Sequence, residues 1–411
     1  MPHLPPILSA LTADGRRLFG TRIARLFAYG FLSVVLVLYL VQAGLSEERV
    51  GLLLTLTLLG DTAVSLWLTT GADRFGRRRT LLVGAGLMAF AGVVFAVTDD
   101  FFVLLVAATV GVISPSGNEV GPFLPVEQAA LSEIVSGGER THVFAWYNLV
   151  GSLATAVGAL AGGATAQGLQ SGGLGSLASY RAVVVGYAAM GAVLAALFTR
   201  LSPAVEATGR RSEGNVRARF GLHRSRGVVL KLAALFSLDA FGGGLVVQSI
   251  VAYWFHVRFG VAPAALGAIF FGANVLAAVS ALAAARIAAR IGLLNTMVFT
   301  HIPSNVFLLL VPLMPTLPLA IAMLLLRFSI SQMDVPTRQS YTMAMVSPDE
   351  RSAAAGVTGV ARTTGAALAP VFTGPLLANP ALLGVPFFVA GGLKIVYDLV
   401  LYGSFRRLAP A

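Results

Sequence analysis

Six ionisable side chains interrupt long apolar stretches of the chain: Asp61, Glu119, Asp239, Arg327, Asp334 and Arg362. A charge held at mid-membrane costs about 2.5–3.5 kcal/mol on insertion scales, so each needs a pairing or chemical reason to be there. For the carboxylates that chemistry is proton exchange. Removal from water makes an acid hold its proton, a neighbouring arginine makes it let go, and alternation between the two moves protons. Glu119 and Asp239 are the leading carriers, followed by Asp334 and Asp61. Asp334 also stands four residues before Arg338, one helical turn, and fits a plain salt bridge as well. The two arginines offer planar, forked donors suited to an organic anion, or else they neutralise Glu119 or Asp61. Asn118, Gln248, Gln332, Tyr29 and Asn148 are candidate substrate contacts. Lys394 and Asp398, four apart, read as an intrahelical ion pair that lowers insertion cost.

Other chemistries lack their residues. The chain has no cysteine, its five histidines show no metal-ligand spacing, and no glycine loop suited to phosphate is present. No nucleophile–base arrangement is visible either, so the expectation is a protein that is not an enzyme and carries no metal or cofactor. Hydrophobic residues make up 56% of the chain and charged residues 11%, with mean hydropathy +0.82. A soluble domain carries about 25% charge, so this chain is made for lipid. The net charge of +11 then fits a cytoplasmic membrane surface better than nucleic acid.

The elements that must position these residues are membrane spans of about 20 residues each. Twelve candidates lie near 23–43, 49–71, 79–98, 101–125, 143–166, 180–200, 229–252, 263–285, 294–314, 317–337, 353–376 and 384–404. The polar stretch Leu201–Gly227 divides them six and six, giving an N-terminal bundle over 1–200, a basic cytoplasmic linker over 201–227 and a C-terminal bundle over 228–411. Arg16, Arg17, Arg22 and Arg25 precede the first apolar run, which reads as a retained span and not a cleaved signal. With both termini in the cytoplasm, 23 of the 29 basic residues fall on cytoplasmic segments and three outside. Pro115, Gly117, Gly121 and Pro122 break the fourth span around Asn118 and Glu119, which is tolerable only beside a cavity.

The two halves echo one another. Pro125, Gln128, Val135, Ser136, Glu139, Arg140 and Gly163 recur 211 residues later as Pro336, Gln339, Val346, Ser347, Glu350, Arg351 and Gly374. Such internal doubling in a membrane protein is typical of secondary transporters. Ser136 with Glu139, and Ser347 with Glu350, fit a capping box that starts the fifth and eleventh spans. Glu127 and Arg338 occupy equivalent repeat positions with opposite signs and are candidates for a gate contact between the bundles.

Between spans two and three runs Asp73-Arg74-Phe75-Gly76-Arg77-Arg78-Arg79, and Arg290-Ile291-Gly292 stands at the matching loop of the second half. The first segment resembles the signature cytoplasmic loop of the major facilitator superfamily, Gly-x-x-x-Asp-Arg-x-Gly-Arg-Arg, with Thr69 in place of the leading glycine. The resemblance implies an all-α membrane protein of twelve helices in two pseudo-symmetric six-helix bundles that alternately open a central site. It implies that Asp73, Arg74, Gly76, Arg77 and Arg78 form a conformational latch, Asp73 against the amino end of span eleven. It further implies that spans one, four, seven and ten line the cavity, which would gather Glu119, Asp239, Arg327 and Asp334. Gly158-Ala159-Leu160-Ala161-Gly162-Gly163 is similar to the antiporters' Gly-Pro-x-x-Gly-Gly without its proline, a pattern that close helix packing also produces.

The expected function is secondary transport of a small organic solute across a bacterial inner membrane by a monomer, proton-coupled efflux ahead of the alternatives. One alternative is an uptake symporter or exchanger for an organic anion bound by Arg327 and Arg362. Another is a membrane sensor or scaffold that moves nothing. The expected partners are the solute, protons and lipid, without nucleic acid.

Overall fold

The computed structural model describes residues 11–135, 140–206 and 222–406. All regular elements among them are helical. In chain order the helices are α1 (Ala13–Ser33), α2 (Leu36–Gln42), α3 (Glu47–Phe75), α4 (Arg77–Val97), α5 (Phe101–Val110), α6 (Phe123–Ile134), α7 (Arg140–Ser171), α8 (Ser176–Thr199), α9 (Arg226–Leu245), α10 (Gln248–Phe259), α11 (Pro263–Ile291), α12 (Leu293–Leu310), α13 (Leu317–Ser331), α14 (Asp334–Ala344), α15 (Arg351–Leu368), α16 (Pro370–Leu377) and α17 (Val385–Phe405).

Nine helical stretches among the described residues are long and apolar enough to cross a bilayer, and the pair α1–α2, bent by 45°, makes a tenth. The two expected spans that remain are broken ones. Span four is α5 and α6 with irregular backbone at 111–122 between them, and span eleven is α15 followed by α16, which starts on Pro370. The twelve-span reading is therefore accommodated, with breaks where proline and glycine stand.

Two compact units are distinguished, one from Met1–Leu45, Gly60–Ser212 and Val251–Phe271, the other from Ser46–Leu59, Glu213–Ile250 and Gly272–Ala411, as far as the described residues reach. In the first, α1 packs along α7 and α4 along α8; in the second, α9 packs along α15 and α12 along α17. These pairs are spans one with five, three with six, seven with eleven and nine with twelve, so the sequence echo is a packing repeat. Helices α6 and α14 begin 211 residues apart, at Phe123 and Asp334. Gly76 and Gly292 precede α4 and α12 with φ of 98° and 86°, left-handed values that exclude most side chains, which fits the degraded loop copy to the same backbone turn.

The seam between α1 and α7 is backbone against backbone. A Cβ on Gly158 would lie 2.1 Å from the Phe27 carbonyl oxygen, one on Gly162 2.0 Å from that of Phe31, and one on Gly30 2.1 Å from that of Thr155. The antiporter-like glycine run is thus the surface on which α1 rests.

Helix ends are held by distant carboxylates. Glu206 accepts hydrogen bonds from Arg77 N (2.7 Å) and Arg78 N (3.2 Å) at the start of α4. Glu350, with no exposed surface, accepts from His223 N, Arg224 N (2.8 Å) and Ser225 N (2.8 Å) at the start of α9. This corrects the capping-box expectation for Ser347 and Glu350: the carboxylate gathers the N–H groups of the turn 223–225 that leads into α9, and does not cap the helix that follows it. The matching box at Ser136 and Glu139 lies outside the described residues. Burial alone would raise the Glu350 carboxyl above its ordinary 4.5, but the hydrogen bonds from His223, Ser225 and Arg224 outweigh it and hold it at about 2. A depressed acid stabilises the fold above its unfolded value and loses that contribution as pH falls from about 4.5 toward 2. Glu350→Gln is accordingly expected to lower the thermal midpoint at neutral pH and to flatten its decline below pH 4.5, as read by thermal unfolding in detergent.

Candidate functional site

Each unit carries a buried ionic cluster. In the first, Arg22 and Arg25 stand three apart on α1 and so share a face. Arg22 Nη1 reaches Glu119 Oε2 at 2.7 Å and Arg25 Nε reaches Glu119 Oε1 at 2.8 Å. Arg25 also forks onto Glu127 through Nη1 (2.8 Å) and Nη2 (2.7 Å), and neither Arg25 nor Glu127 has any exposed surface. The Tyr147 hydroxyl and Thr21 Oγ1 donate to the same Glu127 carboxylate, and Arg22 Nη2 donates to Asn148 Oδ1 at 3.3 Å. Two arginines and two glutamates thereby neutralise each other.

The irregular stretch 111–122 beside this cluster has its freed backbone groups met by side chains. Tyr187, Tyr29, Thr155 and Ser114 donate to the carbonyls of Val112 (2.6 Å), Val120 (3.0 Å), Gly117 (3.3 Å) and Asn118 (2.7 Å). Asp61 Oδ1 on α3 accepts from Gly121 N at 2.7 Å. In lipid such backbone persists only where protein or a cavity satisfies it. Tyr29 is therefore a fully buried support for the broken span, a correction to its expected place among substrate contacts. Asp61 forms no ion pair among the described residues, unlike Glu119.

In the second unit Asp239 on α9 is the hub. Its Oδ1 lies 2.6 Å from Lys394 Nζ and 3.7 Å from His301 Nε2, and its Oδ2 lies 3.1 Å from Arg338 Nη1. Arg338 also meets Asp334 at 3.1 Å, one turn earlier on α14. His301 Nδ1 stands 3.0 Å from both oxygens of Asp398, and Asn305 Nδ2 lies 3.3 Å from one of them. Lys394 and Asp398 are consequently not the intrahelical pair expected of them. Each turns from α17 to a closer partner, Lys394 to α9 and Asp398 to α12.

Arg327 on α13 and Arg362 on α15 belong to the same unit and stand differently. Each is half-buried, its Nε is buried without a hydrogen-bond partner, and neither forms an ion pair among the described residues. Arg327 lies over the Phe328 ring at 5.1 Å. The expectation that they neutralise Glu119 or Asp61 is corrected: the counter-charges of Glu119 are Arg22 and Arg25.

Of the remaining candidates, Asn148 joins the first cluster through Arg22. Gln248 accepts from Asn274 at 3.1 Å, Gln332 N donates to Ser280 at 3.3 Å, and Asn118 and Asn148 are exposed. In the signature loop Asp73 and Arg74 are exposed, Asp73 pairs with Arg77 (2.8 Å), and Arg78 donates to the Thr199 carbonyl. Glu127 and Arg338, expected as a gate, each hold their partners inside their own unit.

Sequence reasoning took Arg22 and Arg25 only as a basic flank and did not single out His301 or Glu206. A signal existed for one of them: His301, Ser304 and Asn305 follow an i, i+3, i+4 spacing that paints a polar stripe along an apolar span.

Comparisons place this architecture. The sequence profile of the Major Facilitator Superfamily matches residues 18–370. An uncharacterized membrane protein of Saccharomyces cerevisiae is 32% identical over 417 residues, covering 94% of this chain and 93% of its own. Among solved structures, a mutant of the nucleoside transporter NupG superposes with a TM-score of 0.77 at 13% identity, covering 95% of this chain and 99% of that one. A bacterial homologue of the human lysosomal transporter Spinster, inward-facing and occupied, gives 0.73 at 17% identity over the whole of both chains. A D-xylose–proton symporter gives 0.72 at 14% identity over 94% and 97%. With its doubled helical halves, its signature loop and a family match over most of its length, the chain belongs to the major facilitator superfamily and is a multi-pass membrane transporter.

Proposed function

We propose that the protein moves a small organic anion across the bilayer by alternating access, and that Arg327 and Arg362 are its principal contacts. The carrying observation is that these two half-buried arginines each have a buried Nε atom without a partner, while the buried fixed cations of the ionic clusters, Arg22, Arg25, Arg338 and Lys394, all have carboxylates. An unpaired charge in a span is costly, and a transient anionic ligand relieves that cost. Guanidinium donors bind carboxylate and phosphate oxygens in pairs.

A hydrogen bond to a charged group contributes about 1.5–3 kcal/mol, and 1.4 kcal/mol is tenfold in affinity. Arg327→Gln and Arg362→Gln should each weaken anion binding by roughly ten- to hundredfold. The measurement is thermal-shift binding of succinate, benzoate and glycerol 3-phosphate, with succinamide and glycerol as neutral analogues. Equal stabilisation by the neutral analogues would reject the reading.

Proton coupling is a second reading, favoured by Asp61. Of the four expected carriers, Glu119, Asp239 and Asp334 are tied to cations, whereas Asp61 meets a backbone N–H. This reading moves Asp61 to the head of the series and keeps proton-coupled efflux as the second form of transport.

A further inference from the structure

We propose that His301 and Asp398 form a proton-binding site of the transport cycle, on α12 and α17. Both ring nitrogens of His301 face carboxylates: Nδ1 faces Asp398 at 3.0 Å to each oxygen, and Nε2 faces Asp239 at 3.7 Å. A neutral imidazole has one N–H and one lone pair, so in this arrangement it would aim the lone pair at an anion. Only the imidazolium turns an N–H and positive charge toward both, hydrogen-bonding Asp398 and meeting Asp239 as an ion-pair contact.

Charge counting points the same way. The groups in contact are Asp239, Asp334 and Asp398 against Lys394, Arg338 and His301. With His301 protonated the set closes at zero. Without that proton Asp398 keeps no cation and only the Asn305 amide at 3.3 Å, and it has no exposed surface. An uncompensated charge there is expensive. The ionisable groups facing His301 are Asp239 from α9, Asp334 and Arg338 from α14, and Lys394, Tyr397 and Asp398 from α17, with the Tyr397 ring edge-on at 6.0 Å. Among them, histidine is the side chain whose ordinary titration lies near neutral pH.

The site stands apart from the anion reading, and one consequence joins them. Arg327 and Arg362 belong to the same unit as this cluster and form no ion pair with its carboxylates among the described residues. Losing the proton leaves the cluster one negative charge, which competes with a bound anion for those arginines. Proton and anion would then leave together.

The test uses full-length protein in lipid nanodiscs, labelled with 15N in its five histidines. The resonance missing in His301→Gln identifies this ring. At pH 7 it should show both nitrogens protonated in the wild type and one in Asp398→Asn. His301→Gln should lower the thermal midpoint by roughly 5 °C, because a buried charge loses its partner. Asp398→Asn should lower it less, and the double variant should recover most of the loss. A neutral His301 at pH 7 in the wild type, or losses that simply add, would overturn the site. For the link to transport, pyranine-loaded vesicles would be challenged with succinate. Proton movement with succinate in the wild type and its loss in the double variant, with succinate binding retained, support coupling; unchanged proton movement in the double variant refutes it. Absence of succinate binding counts against the Arg327–Arg362 reading, and the resonance and stability outcomes still decide the site.

Discussion

Gly158→Val is expected to give no folded, monodisperse protein. The new Cβ would stand 2.1 Å from the Phe27 carbonyl oxygen and 2.8 Å from its carbon. Both are backbone atoms of a packed helix, so no side chain can turn aside. Overpacking of a yielding core costs about 1–3 kcal/mol, and a clash between two helix backbones exceeds that because α1 must separate from α7. Gly168→Ala is the control: it lies on the same helix with nothing within 4 Å of its Cβ position. Size-exclusion profiles of the two variants in detergent should differ completely. A monodisperse Gly158→Val peak with the wild-type thermal midpoint would show that the seam is looser than its geometry.

Arg25→Ala should be the most damaging single change in the first ionic cluster. It removes both forked bonds to Glu127 and one to Glu119, leaving Glu119 to Arg22 and the buried Glu127 carboxylate without a cation. Breaking a buried pair by deleting one partner costs about 3–5 kcal/mol. Glu127→Gln should cost clearly less, since Arg25 keeps Glu119 and the amide oxygen can still accept from Tyr147. Replacing Arg25 and Glu127 together, by Leu and Gln, should also be milder than Arg25→Ala. Thermal unfolding of the three variants checks the order, and equal losses in all three would remove the charge argument.

Much of the architecture was legible from residues. Apolar run length marked the spans, and Pro115, Gly117, Gly121 and Pro122 marked the break in span four that the irregular stretch 111–122 realises. The 211-residue echo marked the packing repeat. The sites were read less well, for physical reasons that differ. Arg22 and Arg25 precede the main apolar run, so a window sees a basic flank. Their burial depends on Glu119 and Glu127, about a hundred residues away. Ser347 and Glu350 satisfy a local capping rule, yet the carboxylate follows the denser set of donors in the turn that leads into α9. Lys394 and Asp398 obey the i, i+4 rule for an exposed helix, but inside a bundle the neighbouring helices offer shorter contacts. Asp334 with Arg338 is the case where local spacing and tertiary placement agree.

The sign reversal between the two clusters bears on how the polypeptide is made. Arg25 with Glu127 uses only residues from the first third of the chain, while Asp239 with Arg338 uses only later ones. The early segment can therefore leave the ribosome and settle into lipid with its own counterions already synthesised. Grafting Arg338's charge onto position 127 would set two like charges face to face during that step, so the twin halves, though descended from one pattern, are no longer interchangeable parts.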